Sequence, residues 1–149
     1  MSKKVDAIVL MLVGQGEDFN NLKDKVRNYN LEDKVMFLGV RNDVSNLMQA
    51  MDIFLFPSVF EDLPLVLIEV QSSNLLCFAS KDVIPNAVKI NDKRFKFISL
   101  KKSALEWSKI IFSNLKFIDD RNNNLSHFRN SGFDINEEVK KMEVYFERE

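Results

Sequence analysis

Apolar and polar positions along the chain follow two rhythms. Five short, continuous apolar runs, at residues 8–13, 35–38, 53–56, 75–79 and 95–98, predict β-strands. Runs without polar alternation are the pattern of strands buried on both faces, as in a parallel sheet. Between most of them, apolar residues recur at helical spacing: first Phe19, Leu22, Val26 and Tyr29, then Val44, Leu47, Met48 and Met51. A third helix is predicted from Pro64 to near Ser73, with proline at its first position, where a missing N–H is harmless. Two later helices declare their starts. Ser103, followed by Glu106, is a capping-box pattern ahead of Trp107, Ile110 and Ile111. Asp134 with Glu137 resembles the same device, ahead of a stripe of Ile135, Val139, Met142 and Phe146. Residues 119–132 are polar and asparagine-rich, and are expected to form a loop or a helix broken around Leu125 and Phe128. Alternating strands and helices imply right-handed βαβ units. The expected fold is α/β: a Rossmann-like parallel sheet with helices on both faces, a single domain over residues 1–149.

Composition narrows the function classes. With 46% hydrophobic and 29% charged residues, the chain has the balance of a soluble globular domain. Twenty-one basic against 22 acidic residues give no surface suited to nucleic acid or to an anionic membrane. No apolar run is long enough to span a bilayer, so any membrane association is expected to be peripheral. Lys3 and Lys4 ahead of residues 7–13 imitate a short signal peptide. Asp6 interrupts it and no small-residue cleavage site follows, so the run reads as a strand ending at Gly14. The lone cysteine, Cys77, excludes an internal disulfide, and a reducing, cytoplasmic setting is expected.

The chemistry concentrates between Phe56 and Glu69. A strand ends at Phe56, a short loop follows, and the helix begins at Pro64. Ligands of open α/β sheets bind outside the carboxyl ends of the strands. The first turn of this helix leaves the N–H groups of Leu65 and Val66 without helical partners, and the helix dipole adds positive potential there. Both favour an anion such as a diphosphate. Leu65, Val66, Leu67 and Ile68 are all apolar, so the helix is expected to be buried, and Glu69 with it. A buried carboxylate needs partners or loses its charge. At 1.5 Å rise per residue, Glu69 lies about 7 Å along the axis from Pro64, the span from a pyrophosphate to a ribose. Glu61 sits before the helix, beyond the phosphates. Two readings stand on the residues alone. Glu69 binds a ribose and Glu61 faces a sugar, or Glu69 pairs with a nearby Lys or Arg and Glu61 is a solvated loop residue.

The segment from Pro57-Ser58 through Glu61, Leu63-Pro64 and Glu69 resembles the signature of the family-4 retaining glycosyltransferases, which place two Rossmann-like domains about a cleft, the GT-B architecture. The resemblance extends to Leu12-Val13-Gly14-Gln15-Gly16, to residues 34–39 ending in Leu38-Gly39, and to residues 51–58, and spans roughly residues 8–111. Ser99, Leu100 and Trp107 match positions that recur in members making capsular or extracellular polysaccharide. The resemblance implies the carboxy-terminal, nucleotide-sugar-binding half of such an enzyme. Glu61 would be the catalytic-site residue contacting the donor sugar. The amides of Leu65 and Val66 would hold the diphosphate and Glu69 the ribose, and Leu63 would be a further substrate-binding residue. Gly14 and Gly16 would approach the nucleotide, while Gly39 and Val40 would flank the base. The ligand would be a UDP- or GDP-sugar, with no metal and no other cofactor.

Departures from the family pattern accompany the match. Asp62 stands where the family has glycine, bringing a negative charge near a diphosphate. Asn74-Leu75-Leu76 replaces Gly-x-Pro. Only Lys3 and Lys4 precede Gly14, without the spacing of the family's basic pair. The acceptor-binding domain has no counterpart in these residues, so it is expected in cis or from a partner subunit, and the isolated chain is expected to be inactive. The alternatives are a degenerate, non-catalytic Rossmann-like module, half of a split glycosyltransferase, or a related sugar-nucleotide epimerase.

Other motifs carry less. Gly14-Gln15-Gly16 lacks the third glycine of a dinucleotide fingerprint, since position 19 is Phe, and no acidic residue ends the next strand. His127, the only histidine, cannot build a histidine-rich metal site and reads as a surface residue. Cys77, within a strand, reads as an inert core residue. The stripe from Ile135 to Phe146 would cover this domain's sheet, pack on the missing domain, or support self-association.

Overall fold

A computed structural model describes residues 8–118, 121, 128–129 and 131–147. The sequence readings for Leu125 and His127 lie outside them. The order of elements is β1 (Leu10–Val13), α1 (Phe19–Asn28), β2 (Val35–Gly39), α2 (Val44–Ala50), β3 (Ile53–Phe56), α3 (Leu65–Ser72), β4 (Leu76–Ser80), β5 (Phe95–Ile98), α4 (Ala104–Asn114) and α5 (Ile135–Phe146), with 3-10 turns at Asn86–Val88 and Leu115–Phe117. Every strand pairing is parallel. The architecture is the α/β, Rossmann-like one expected, with a helix between successive strands up to β4 and a 3-10 turn between β4 and β5.

The chain divides into two compact units, Met1–Val44 and Ser45–Glu149. The first carries a two-stranded sheet, β1 beside β2, with Leu12 opposite Phe37 and a register shift before Val13. Phe19 of α1 meets Phe37 of β2 edge-to-face, with ring centroids 5.4 Å apart, which seats α1 on the sheet. The second unit carries a three-stranded sheet in the order β3-β4-β5. Only the central strand, β4, is buried along its whole length, whereas β1, β3 and β5 are partly exposed. Unbroken apolar runs therefore overstate burial for the outer strands. They mark parallel strands here without requiring cover on both faces.

The core of the second unit lies on β4. Successive strand residues face opposite ways. Leu76 and Phe78 form a cluster with Ile98 of β5, against which Ile53, Trp107, Ile110, Ile111, Phe117 and Ile118 pack. The apolar positions of α4 thus do what their spacing predicts. Its start is the expected capping box: Ser103 Oγ accepts from the Glu106 N–H, and the Glu106 carboxylate accepts from the Ser103 N–H at 2.9 Å. At α5, Asp134 caps the N–H groups of Asn136 and Glu137, but Glu137 pairs with Lys140 instead of completing the box. The α5 stripe is exposed, Ile135 at 72% and Phe146 at 65%.

Helices α1 and α3 end alike. After α3, the Asn74 N–H bonds to the Gln71 carbonyl and the Leu75 N–H to the Val70 carbonyl. Asn30 and Leu31 repeat both bonds on Arg27 and Val26 after α1. This is the Schellman closure, which needs a left-handed residue after the cap. Asn30 and Asn74 supply it, with φ of 52° and 55°. Asparagine tolerates that conformation better than other non-glycine residues. The structure thereby accounts for Asn74 at a position where glycine was expected: the backbone requirement is met by the next-best residue.

Candidate nucleotide site

In the second unit, α3 begins at Leu65, one residue later than the sequence predicts, with Pro64 as its N-cap. The Leu67 N–H closes the first turn on the Pro64 carbonyl at 2.9 Å. Among the described residues, the N–H groups of Leu65 and Val66 have no acceptor. They stand at the head of the helix, after the carboxyl end of β3, as the sequence places them.

The expectation that Glu69 is buried is corrected. α3 buries Leu67, Val70 and Gln71, one face at helical spacing. At about 100° per residue, Glu69 lies roughly 200° around the helix from Leu67. It is exposed, as is Leu65 at 60%. Its carboxylate therefore faces solvent, without the burial that would demand a partner. Among the described residues, neither Glu69 nor Glu61 is in an ion pair. Glu61 is half-buried, while Asp62 and Leu63 are exposed and Pro64 is buried. Glu61, Leu63, Leu65, Val66 and Glu69 thus follow one strand end, with two carboxylates uncommitted.

The remaining candidates belong to the first unit. Gly14 and Gly39 close the carboxyl ends of β1 and β2, and the Gly14 N–H bonds to the Gly39 carbonyl at 2.7 Å. Their φ values, 127° and 63°, lie where side chains are disfavoured. A Cβ built at Gly14, Gly16 or Gly39 would meet nothing within 4 Å. Here glycine serves backbone conformation, and leaves its own surface open. Val40 is exposed, and beside it Arg41 is gripped by Asp43 through two hydrogen bonds of 2.8 and 2.7 Å. The hydrogen bond to Arg41 lowers the Asp43 pKa, and that to Asp43 raises the Arg41 pKa.

Three polar residues escaped the sequence reading. Gln71 is buried within an apolar helix, and its amide nitrogen donates to the Leu67 and Val88 carbonyls at 2.9 and 2.8 Å. Its amide oxygen accepts from the N–H groups of Ile90 and Asn91. Ser80 ends β4 fully buried and donates to the Ser58 carbonyl at 2.5 Å. Asp82 accepts from the Ser99 hydroxyl and the Leu100 N–H at 2.9 and 2.8 Å, bonds that lower its pKa. The Trp107 indole donates to the Ser99 carbonyl at 3.2 Å, so Ser99, Leu100 and Trp107 form one hydrogen-bonded corner after β5. The available signal was polarity at positions whose spacing calls for apolar residues. Elsewhere, burial pushes the Cys77 thiol pKa up, in keeping with an inert core cysteine. Among the described residues, no group of three or more His, Cys, Asp or Glu could hold a metal ion, and no helix is long and apolar enough to cross a membrane.

Comparison with known proteins gives this geometry a family. Over 73 residues, 48% of the chain, it is 41% identical to the UDP-Gal:alpha-D-GlcNAc-diphosphoundecaprenol alpha-1,3-galactosyltransferase of Escherichia coli. That match spans only 19% of the relative's length. The fold is similar to that of Anabaena Alr3699/HepE in complex with UDP, with a TM-score of 0.75 and 18% identity over 95% of this chain and 41% of the other. It is also similar to WaaG, a glycosyltransferase involved in lipopolysaccharide biosynthesis, with a TM-score of 0.65 and 25% identity over 85% of this chain and 34% of the other. The family model for glycosyl transferases group 1 matches residues 1–123, and the chain belongs to that family.

Proposed function

We propose that the chain is the donor-binding, carboxy-terminal domain of a family-4 retaining glycosyltransferase of GT-B architecture, using a nucleoside diphosphate sugar in the synthesis of a surface glycan. The observation that carries this reading is the head of α3: two N–H groups without acceptors, followed on an exposed face by a carboxylate outside any ion pair. The amides of Leu65 and Val66 receive the diphosphate, with Leu63 beside them, and Glu69 accepts hydrogen bonds from the ribose hydroxyls. Glu61 contacts the donor sugar. Catalysis is by positioning and by stabilising charge on the departing diphosphate. The similarity to a protein solved with UDP supports a uridine nucleotide. A second Rossmann-like domain, in cis or from a partner subunit, supplies the acceptor site, and the work is done in the cytoplasm, at most peripherally on a membrane.

One observation favours the degenerate-module alternative: Asp62 is exposed between Glu61 and the diphosphate position, where its charge opposes an anion. Calorimetric titration with UDP and GDP decides between the two. The proposed function predicts binding that Glu69→Ala weakens about tenfold, the loss of one charge-assisted hydrogen-bonding group. No heat at millimolar nucleotide, with Glu69→Ala indistinguishable from the parent, contradicts it.

A further inference from the structure

β4 is apolar from Leu76 to Ala79 and then ends in a serine with no exposed surface. A hydroxyl in such a place must be hydrogen-bonded or it destabilises the fold. The Ser80 Oγ donates to the Ser58 carbonyl, in the loop that leaves β3. The Ser58 hydroxyl in turn donates to the Phe60 carbonyl at 3.1 Å. Two hydroxyls in series thus run from the buried end of β4 to the residue immediately before Glu61. Among the described residues, residues 57–63 of the loop between β3 and α3 make no other hydrogen bond. Val59 and Phe60 project into solvent, at 77% and 84% exposure, and contribute little packing. Glu69, Leu65 and Val66 depend on no such tether, because α3 is held by Leu67, Val70 and Gln71.

We infer that Ser80 is a positioning residue for the donor sugar: through Ser58 it sets the backbone that presents Glu61, while the helix alone positions the nucleotide groups. This inference rests on the proposed donor site, and it assigns the sugar and the nucleotide to separately anchored parts of that site. The division has a measurable signature. Removing the Ser80 hydroxyl weakens recognition of the sugar and spares recognition of the nucleoside diphosphate. A loss of overall fold weakens both.

The test is calorimetric titration of the whole chain with UDP and with UDP-glucose, UDP-galactose and UDP-N-acetylglucosamine, in the parent, Ser80→Ala, Ser80→Thr and Ser58→Ala. The expected result is that at least one UDP-sugar binds the parent more tightly than UDP does. Ser80→Ala and Ser58→Ala then lose about fivefold in that sugar's affinity, the worth of one hydrogen bond, with UDP affinity unchanged. Ser80→Thr, which keeps a hydroxyl, restores the preference. Equal weakening of UDP and UDP-sugar by Ser80→Ala, or no weakening of either, overturns the inference while leaving the donor site standing. A parent that binds UDP but none of the sugars better overturns the inference while leaving the nucleotide site standing, and a parent that binds none of these ligands overturns the uridine donor site and the inference with it.

Discussion

Replacing Gln71 by methionine keeps the volume of the side chain and deletes its amide. Gln71 is 3% exposed, so no water stands ready to take over its bonds. The Leu67 carbonyl keeps the helical N–H of residue 71, since the i to i−4 bond is a backbone one. Three groups lose their partner: the Val88 carbonyl and the N–H groups of Ile90 and Asn91. Val88 is fully buried, and its orphaned carbonyl costs about 2 kcal/mol. Ile90 and Asn91 are half-buried, and the bond to Asn91 is long at 3.3 Å, so together they add about 1 kcal/mol. Methionine returns about 1 kcal/mol as apolar burial in place of an amide. Gln71→Met is therefore expected to lose about 2 kcal/mol in urea unfolding followed by Trp107 fluorescence, with faster amide exchange at Ile90 and Asn91 than elsewhere in the unit. Ser113→Ala, whose exposed hydroxyl bonds only to its own helix, serves as the control and should change stability by less than about 0.5 kcal/mol. A Gln71→Met variant as stable as that control, with unaltered exchange at both amides, refutes the reasoning.

Two further outcomes follow from the local chemistry. The Ser103 N–H, Lys102 and the Ser103 hydroxyl hold the Glu106 pKa down to about 2, from an ordinary value of 4.5. A depressed carboxyl stabilises the fold fully above its ordinary pKa, and that stabilisation fades as pH falls toward the folded value. The gap in thermal midpoint between the parent and Glu106→Gln should therefore close between pH 4.5 and about 2, and a gap independent of pH contradicts the capping box. At Asn30, where φ is 52°, Asn30→Gly should leave stability unchanged or raise it. Asn30→Val should lower it by about 1–2 kcal/mol in chemical denaturation, and equal stability of the two variants would show that the left-handed cap carries no weight.

Strand positions were legible because parallel strands advertise themselves as short apolar runs. The predicted runs at 53–56 and 95–98 are β3 and β5 to the residue. The start of α4 was equally legible, since a capping box is a purely local device and Ser103 and Glu106 carry both halves of it. Burial was not legible. Apolarity of residues 65–68 implied a buried helix, yet the neighbours that cover Leu67 leave Leu65 and Glu69 exposed, and this depends on tertiary packing. Hydrogen bonds distant in sequence were equally hidden. Gln71 reaches Val88 across 17 positions, and Ser80 reaches Ser58 across 22. The positive φ of Gly14 and Gly39 was not read from the sequence, which tied both residues to the nucleotide by resemblance alone. Nor could the role of Asn74 be read, because asparagine serves many purposes and only its φ of 55° reveals this one.

The central claim is that the head of α3 receives a diphosphate and its exposed face a ribose. The most direct measurement is a titration of the 15N-labelled chain with UDP, followed through the backbone amides. The Leu65 and Val66 resonances are expected to shift saturably and most strongly within the second unit. Glu69→Ala should reduce the affinity while those two amides remain the responding ones. Shifts confined to other residues, or none at millimolar UDP, contradict it.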